Sequence, residues 1–180
     1  METSGTRGSV AVRAAASPKQ QFLDAYEREH GITMKVLRAY PEKHLNLRPH
    51  AKCKTARELA WIFALERGFA TKAFHDEFAR GMPDGAPPSP PESWADLLAA
   101  TEHAHREFGD LVRATPEEKL FETVKFFTGP KTLSDVPRIQ MIWAVLCDQI
   151  HHRGQLSIYL RMADGKVPSI YGPSADEPWL

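Results

Sequence analysis

Four long segments with a helical spacing of apolar residues dominate this sequence of 180 residues, and prolines or glycines interrupt the chain between them. Within each segment, apolar side chains recur every three or four positions, which places them along one face of an α-helix. The last segment has the widest apolar surface, so we expect it to lie at the centre of the core. The spacing predicts helices over residues 18–40, 55–80, 92–114 and 136–163.

Local signals support the starts of the first two helices. Ser17 followed by Pro18 is typical of a helix start, with serine as the N-cap and proline in the first turn. Thr55 followed three residues later by Glu58 is typical of a capping box, in which the two side chains bind exposed amides of the first turn. Both helices are therefore expected to begin at these positions.

The connections between the helices differ in length. Residues 81–91 contain five prolines and two glycines, which predicts a loop between the second and third helices. Residues 115–125 are expected to form a short helical piece, and the break at residues 128–130 completes a long third-to-fourth connection. We find no strand-like alternation of useful length. The sequence thus predicts an all-α four-helix bundle.

The two ends of the chain have different compositions. Residues 1–16 are rich in small and polar side chains and lack an apolar core, so we expect a mobile tail rather than a secretory signal. Residues 17–180 are expected to form a single domain. Within it, the last fifteen or so residues are rich in turns but include Ile170, Tyr171 and Trp179, which predicts that this C-terminal tail packs on the bundle.

Charge and cysteine content exclude several classes of protein. The 23 basic and 23 acidic residues balance, whereas non-specific nucleic-acid binding needs a basic surplus. No apolar stretch approaches the ~18 residues of a membrane span, so we expect no membrane contact. Two cysteines do not make a disulfide framework, which favours a reducing compartment and a cytoplasmic location.

Asp148 and His152 form the first candidate site. They are four residues apart in the last predicted helix, so both side chains face the same way. A carboxylate and an imidazole on one face can share a divalent metal ion, with Zn, Ni, Mn or Fe(II) all suited to such ligands. Two ligands do not make a tight site, so the pattern calls for a third ligand from another helix.

Three stretches of the chain resemble a known family. They are Tyr-Pro-Glu-Lys to Leu-Arg-Pro-His at residues 40–50, Thr-Ala-Arg-Glu-Leu-Ala-Trp at residues 55–61, and His-His-Arg-Gly-Gln at residues 151–155 with its tail at residues 167–177. Together they resemble the DinB-like four-helix bundle proteins, a group that includes metal-dependent thiol transferases. The resemblance implies the same bundle, with a metal site between the second and last helices.

The sequence departs from the metal site that this resemblance implies. The family has one histidine on the second helix and two on the last, whereas Ile62 and Asp148 stand at two of these positions and only His152 remains histidine. Glu66 lies one turn beyond Ile62 on an apolar face, where an unpaired carboxylate is costly and needs a partner. We therefore interpret Glu66, Asp148 and His152 as the metal ligands.

Other interpretations of these side chains remain open. Glu66 and Asp148 can also bind His152 as a buried polar network without any metal. Cys147 and His151, again four residues apart, form a rival pair that would suit zinc, although a buried inert cysteine is the commoner outcome. His105 lies on the apolar face of the third helix and is interpreted as a core or interface histidine.

Two functions from different classes follow. The first is a metal-binding enzyme that acts on a thiol co-substrate or hydrolyses a small molecule, with Tyr171 of the tail contacting the substrate. The second is a non-catalytic, metal-free bundle that serves as a stress-associated binding or interaction protein. The resemblance also implies a homodimer as the assembly.

Overall fold

Four α-helices form the body of the protein. The computed structural model describes residues 15–81 and 85–180. The mobile tail predicted for residues 1–16 therefore lies outside the described part of the chain, except for its last two residues. The helices are α1 (Pro18–Ala39), α2 (Ala56–Phe74), α3 (Trp94–Ala114) and α4 (Arg138–Met162). The predicted four-helix bundle is confirmed.

The helix starts have the capping interactions that the sequence predicts. The Ser17 hydroxyl accepts a hydrogen bond from the Gln20 amide at 3.3 Å. In α2, the Glu58 amide donates to the Thr55 hydroxyl at 3.2 Å, and the Thr55 amide donates to the Glu58 carboxylate at 2.7 Å. These bonds satisfy amides that have no partner within the helix.

The predicted end of α2, near residue 80, is wrong. The α-helix ends at Phe74, Asp76 adopts a left-handed backbone conformation with φ of 55°, and Glu77–Arg80 forms a separate short 3-10 turn. Asp76 also accepts a hydrogen bond from the Lys125 amide at 2.7 Å. The chain therefore turns away at this point to meet the following connection.

The prediction that the chain contains no strands is also wrong. The connection between α3 and α4 contains a short 3-10 turn, Glu117–Phe121, and then an antiparallel hairpin formed by β1 (Thr123–Gly129) and β2 (Thr132–Pro137). The hairpin is stable here because one face packs on the bundle, where Val124 is buried against the core. A hairpin of two strands needs such packing, since it is marginal in water alone.

The helices pack so that α2 lies between α3 and α4, and α1 contacts the other sides of those two helices. Two apolar clusters fill the interior, one at each end of the bundle. On all four helices, buried polar side chains lie in sequence between the two clusters. This polar layer comprises Glu29, Thr33, Arg67, Thr101, His105, Gln149 and Arg153.

The C-terminal tail packs on the bundle, as the sequence predicts. Val167 and Ile170 contact the apolar cluster at the end of the bundle where α4 finishes. Asp176 accepts hydrogen bonds from Arg161 and from the Val167 amide, the latter at 2.8 Å. No helix in the described parts of the chain has the length and apolarity that crossing a membrane requires.

Candidate metal centre

The three predicted ligands meet where α2 faces α4. The Nε2 atom of His152 lies 3.2 Å from Oε1 of Glu66 and 3.6 Å from Oδ2 of Asp148. One ligand atom from each residue falls within 4.8 Å of the other two. Asp148 and His152 converge because they lie one turn apart on α4, and Glu66 reaches them from the neighbouring helix.

Two further side chains of α4 orient His152. The amide oxygen of Gln155 accepts a hydrogen bond from Nδ1 of His152 at 3.0 Å, so the Nδ1 atom carries a proton. The Gln155 amide nitrogen donates in turn to Nε2 of His151 at 3.0 Å. A ligating histidine commonly has such a partner on its other nitrogen, which turns the free lone pair toward the metal.

The sequence interpretation did not assign this orienting role to Gln155. The signal was its position in the chain: Gln155 follows His152 by three residues and His151 by four, so all three share one side of α4. The side chains therefore form a continuous row next to the candidate centre.

Burial shifts the acid–base behaviour of the centre. The side chains of Glu66 and His152 are only 19% and 18% exposed, whereas Asp148 is 57% exposed. Burial raises the pKa of Glu66 to about 7, although the hydrogen bond from His152 opposes this shift. That same hydrogen bond to Glu66 raises the pKa of His152 to about 9 despite burial, and the charge of Asp148 adds to the effect. The two carboxylates thus favour the protonated, positively charged form of His152.

The donor set fits a divalent cation. The second carboxylate oxygen of Glu66 is buried and has no hydrogen-bond partner in residues 15–81 and 85–180. A buried acceptor without a partner is costly and is rare in folded proteins. Two carboxylates and one imidazole match the ligands that Zn, Mn, Ni and Fe(II) take in proteins. Glu66, Asp148 and His152 would hold such an ion between α2 and α4.

The centre lies in the wall of a cleft of about 1440 Å³. Most of the cleft lining is apolar, and it comes from α2, α3, α4, the hairpin and the proline-rich loop. Phe69 of α2 stacks on Phe127 of β1, with ring centroids 5.9 Å apart and planes inclined by 19°. A small molecule in this cleft would therefore reach the candidate ligands across an apolar surface.

Ile62, which stands where the family resemblance implies a histidine, also lines the cleft and supplies no ligand atom. Tyr171 lies elsewhere: its hydroxyl bonds to Glu29 and to Arg153, and it is not part of the cleft wall. Its role as a substrate contact stays a prediction.

The other histidine and cysteine candidates lie outside the triad. Cys147 and His151 are both exposed on the cleft wall, and no third ligand-type side chain joins them among the described residues. His105 is buried in the polar layer, where its ring stacks on His30 at 3.6 Å and its Nε2 atom lies 2.9 Å from Glu27. It is the core histidine that its position on the apolar face predicts.

Comparison with known proteins identifies the family. The DinB family profile matches residues 9–179. The uncharacterized protein YrdA of Bacillus subtilis (strain 168) is 25% identical over 156 residues, which cover 87% of this chain and 89% of YrdA.

Solved structures share the fold. A DinB-like protein from Bacillus cereus has a TM-score of 0.69 at 20% identity, with 83% of this chain and 95% of that one covered. YfiT from Bacillus subtilis, described as a probable metal-dependent hydrolase with an unusual four-helix bundle topology, has a TM-score of 0.61 at 11% identity, with 88% and 96% covered. Since the family profile spans nearly the whole chain, this protein belongs to the DinB family.

Proposed function

We propose that this protein is a metal-dependent hydrolase of a small molecule, with Glu66, Asp148 and His152 as the ligands of one divalent ion. The observation that carries the proposal is the convergence of three ligand atoms within 4.8 Å on the wall of a cleft. The buried Glu66 oxygen without a partner supports it, because a cation would satisfy that atom. The structural neighbour YfiT, described as a probable metal-dependent hydrolase, supports the reaction class.

The chain's own groups have distinct parts in this proposal. Glu66 from α2 and Asp148 from α4 supply negative charge beside the Nε2 atom of His152, and Gln155 holds the imidazole with Nε2 toward them. The apolar lining of the cleft binds the substrate body and limits the access of water. A divalent ion at this position would act as a Lewis acid and would lower the pKa of a water molecule, or of a thiol co-substrate, toward neutral pH.

The test is a comparison of rates in chelated and metal-loaded protein. The protein, prepared without a histidine tag, is stripped with a chelator and reloaded with Zn, Ni, Mn or Fe(II). Each form is assayed on 4-nitrophenyl esters of several chain lengths, and on 1-chloro-2,4-dinitrobenzene with added thiol. We expect at least one metal to restore ester hydrolysis, and His152→Ala to abolish it. Metal-dependent turnover with the thiol alone would assign a thiol transferase instead of a hydrolase.

A matched control uses an exposed histidine that does not line the cleft. His103 lies four residues before Glu107 on α3, with their charged atoms 3.3 Å apart, so it repeats the carboxylate–histidine spacing without a cleft. His103→Ala is expected to keep full metal-dependent activity. Equal turnover by the chelated protein, or retention of turnover in His152→Ala, would contradict the proposal.

A second function is favoured by a different observation. Glu66 and His152 form an ion pair with each other at 3.2 Å, and Ile62 replaces the histidine that the family resemblance implies. A non-catalytic bundle that binds a partner would use the pair only for stability. In that case chelators leave the melting temperature unchanged, and His152→Ala costs about 1–3 kcal/mol because Glu66 loses its partner. A large decrease of the melting temperature on chelation would exclude this function.

A further inference from the structure

The cleft continues from the candidate metal centre along α2 toward the hairpin. Phe69 follows Glu66 by three residues and lines this part of the cleft together with Val145 of α4. Phe127 closes the same part from the hairpin, and its ring stacks on that of Phe69. The wall next to the triad is therefore a partly exposed aromatic and aliphatic surface.

A lysine stands at the far end of this apolar wall. Lys72 lines the cleft three residues beyond Phe69 and six beyond Glu66, a rise of about 9 Å along an α-helix. Its side chain is exposed and, like that of Lys54 at the other end of α2, forms no salt bridge with a carboxylate of residues 15–81 and 85–180. By contrast, Lys119 and Lys125 each pair with a carboxylate, at 2.7 and 3.0 Å respectively.

We infer that the cleft takes an apolar-bodied acid: a molecule whose aromatic or aliphatic body covers Phe69 and Phe127 and whose anionic end pairs with Lys72. Its reacting group lies at the other end, at the triad, about 9 Å away along α2. Only the assignment of that reacting end rests on the proposed function. The body and the anionic end are inferred from the cleft wall.

The chemistry of the wall favours a molecule with an apolar body. A molecule with many hydroxyl groups would place some of them against the aliphatic part of the wall at Val145, where they lose hydrogen bonds to water without gaining new ones. A cationic group would be repelled at the Lys72 end of the wall and attracted by Glu66 and Asp148 at the other end, so the anionic end of the ligand is assigned to Lys72. A charged end and an apolar body together match what the cleft offers, because a few polar groups commonly orient a ligand within a mostly apolar site.

A matched pair of fluorescent probes tests this inference. 8-Anilinonaphthalene-1-sulfonate and N-phenyl-1-naphthylamine share one aromatic body, and only the first has an anionic group. Both are titrated into full-length protein kept in a chelator, so that the result does not depend on any metal. The wild type is compared with Lys72→Gln and Lys54→Gln. Lys54 is the control because it lines the cleft at the other end of α2.

We expect the wild type to bind the sulfonate probe more tightly than the neutral one. Lys72→Gln is expected to weaken binding of the sulfonate probe about fivefold, which is the upper range for an exposed charge pair. The affinity for the neutral probe is expected to stay the same. Lys54→Gln is expected to leave both affinities unchanged. Phe127→Ala removes part of the apolar wall and is expected to weaken the binding of both probes about tenfold.

Several results would overturn the inference. Equal affinity of the two probes, or equal loss of sulfonate binding in the two lysine variants, would remove the specific role of Lys72. Unchanged binding of both probes in Phe127→Ala would place them outside the cleft. If sedimentation shows a dimer and probe binding is lost at the concentrations where the dimer forms, a second copy of the chain would replace the small molecule as occupant. None of these outcomes depends on the metal content of the protein. The proposed function is tested separately, by the comparison of chelated and metal-loaded protein.

Discussion

Two carboxylates from different helices meet consecutive residues of α4, and their surroundings differ. Glu66 of α2 pairs with His152 at 3.2 Å, whereas Glu29 of α1 pairs with Arg153 at 2.8 Å. Both oxygens of Glu29 accept hydrogen bonds, because Arg28 and Tyr171 also donate to it. One oxygen of Glu66 is buried and has no hydrogen-bond partner in the part of the chain that the structure describes.

The difference separates a structural ion pair from a candidate ligand site. The Glu29 cluster is closed, since the C-terminal tail places Tyr171 across it and the chain alone satisfies every charge. The Glu66 cluster opens on a cleft, and one Glu66 oxygen receives no hydrogen bond from any described residue. Two neighbouring positions of α4, Arg153 and His152, can therefore differ in role because they lie on different faces of the helix. One stabilises the fold, and the other is a candidate for ligand binding.

The largest loss of stability is expected from a substitution that breaks the closed cluster. Arg153→Met leaves Glu29 as a buried charge without its cation, and removing one partner of a buried pair costs about 3–5 kcal/mol of unfolding free energy. Urea denaturation measures the loss. Arg161→Met is the control on the same helix, because its pair with Asp176 is exposed and is expected to contribute about 0–1 kcal/mol. Equal losses in the two variants would contradict the distinction.

A smaller effect is expected at the open cluster. Gln155→Ala removes the acceptor that orients His152, so we expect about 10- to 100-fold weaker metal binding with little change in stability. Competition with a chelating dye measures the affinity. His151→Ala keeps the bond between Gln155 and His152 and is expected to bind metal as the wild type does. Unchanged affinity in Gln155→Ala would show that this bond does not orient a ligand.

A third variant loosens the closed cluster without removing a charge. Tyr171→Phe deletes the hydroxyl that bonds to Glu29 and Arg153, which is expected to cost about 1 kcal/mol of unfolding free energy. Trp179→Phe provides the control, because Trp179 donates to Ser169 on the surface of the same tail. A loss in Trp179→Phe as large as that in Tyr171→Phe would point to the tail as a whole rather than to the hydroxyl.

The smallest expected effect is a pH dependence from Glu29. Burial alone would raise the pKa of Glu29, but hydrogen bonds from Tyr171 and Arg153 outweigh it and hold the pKa below the ordinary value of 4.5. The unfolded chain therefore binds the proton more readily than the folded one. This contribution to stability is complete above 4.5 and is lost as the pH falls through the lowered pKa.

Unfolding measured in urea at a series of acidic pH values tests this dependence. The wild type is expected to lose stability more steeply below pH 4.5 than Glu29→Gln, which has no proton to bind at that position. If the unfolding free energies of the two proteins fall in parallel with pH, Glu29 does not contribute to the pH dependence of stability.

The sequence predicted the helices because their signals are local. Ser17 and the pair of Thr55 and Glu58 form their caps within one turn of the chain, and apolar spacing is read within a single segment. The hairpin was missed because its strands are short and only one face is buried. Its signal was present: a Gly129-Pro130 turn flanked by β-branched and aromatic residues, as a hairpin has.

The candidate site was predictable only in part. The spacing of Asp148 and His152 follows from one helix, whereas the choice of Glu66 needed the resemblance to indicate which helix faces α4. The partner of Arg153 lies 124 residues away in the sequence, so its contact with Glu29 depends on the packing of α1 against α4. No local pattern contains that information.

Calorimetric titration of chelated protein with Zn²⁺ and Mn²⁺ tests the difference between the two clusters most directly. Three proteins are compared: the wild type, Glu66→Gln in the open cluster and Tyr171→Phe in the closed one. We expect one ion per chain in the wild type and in Tyr171→Phe with equal affinity, and no binding in Glu66→Gln. Binding by Glu66→Gln as tight as that of the wild type, or no binding by any of the three, would contradict a metal centre at Glu66.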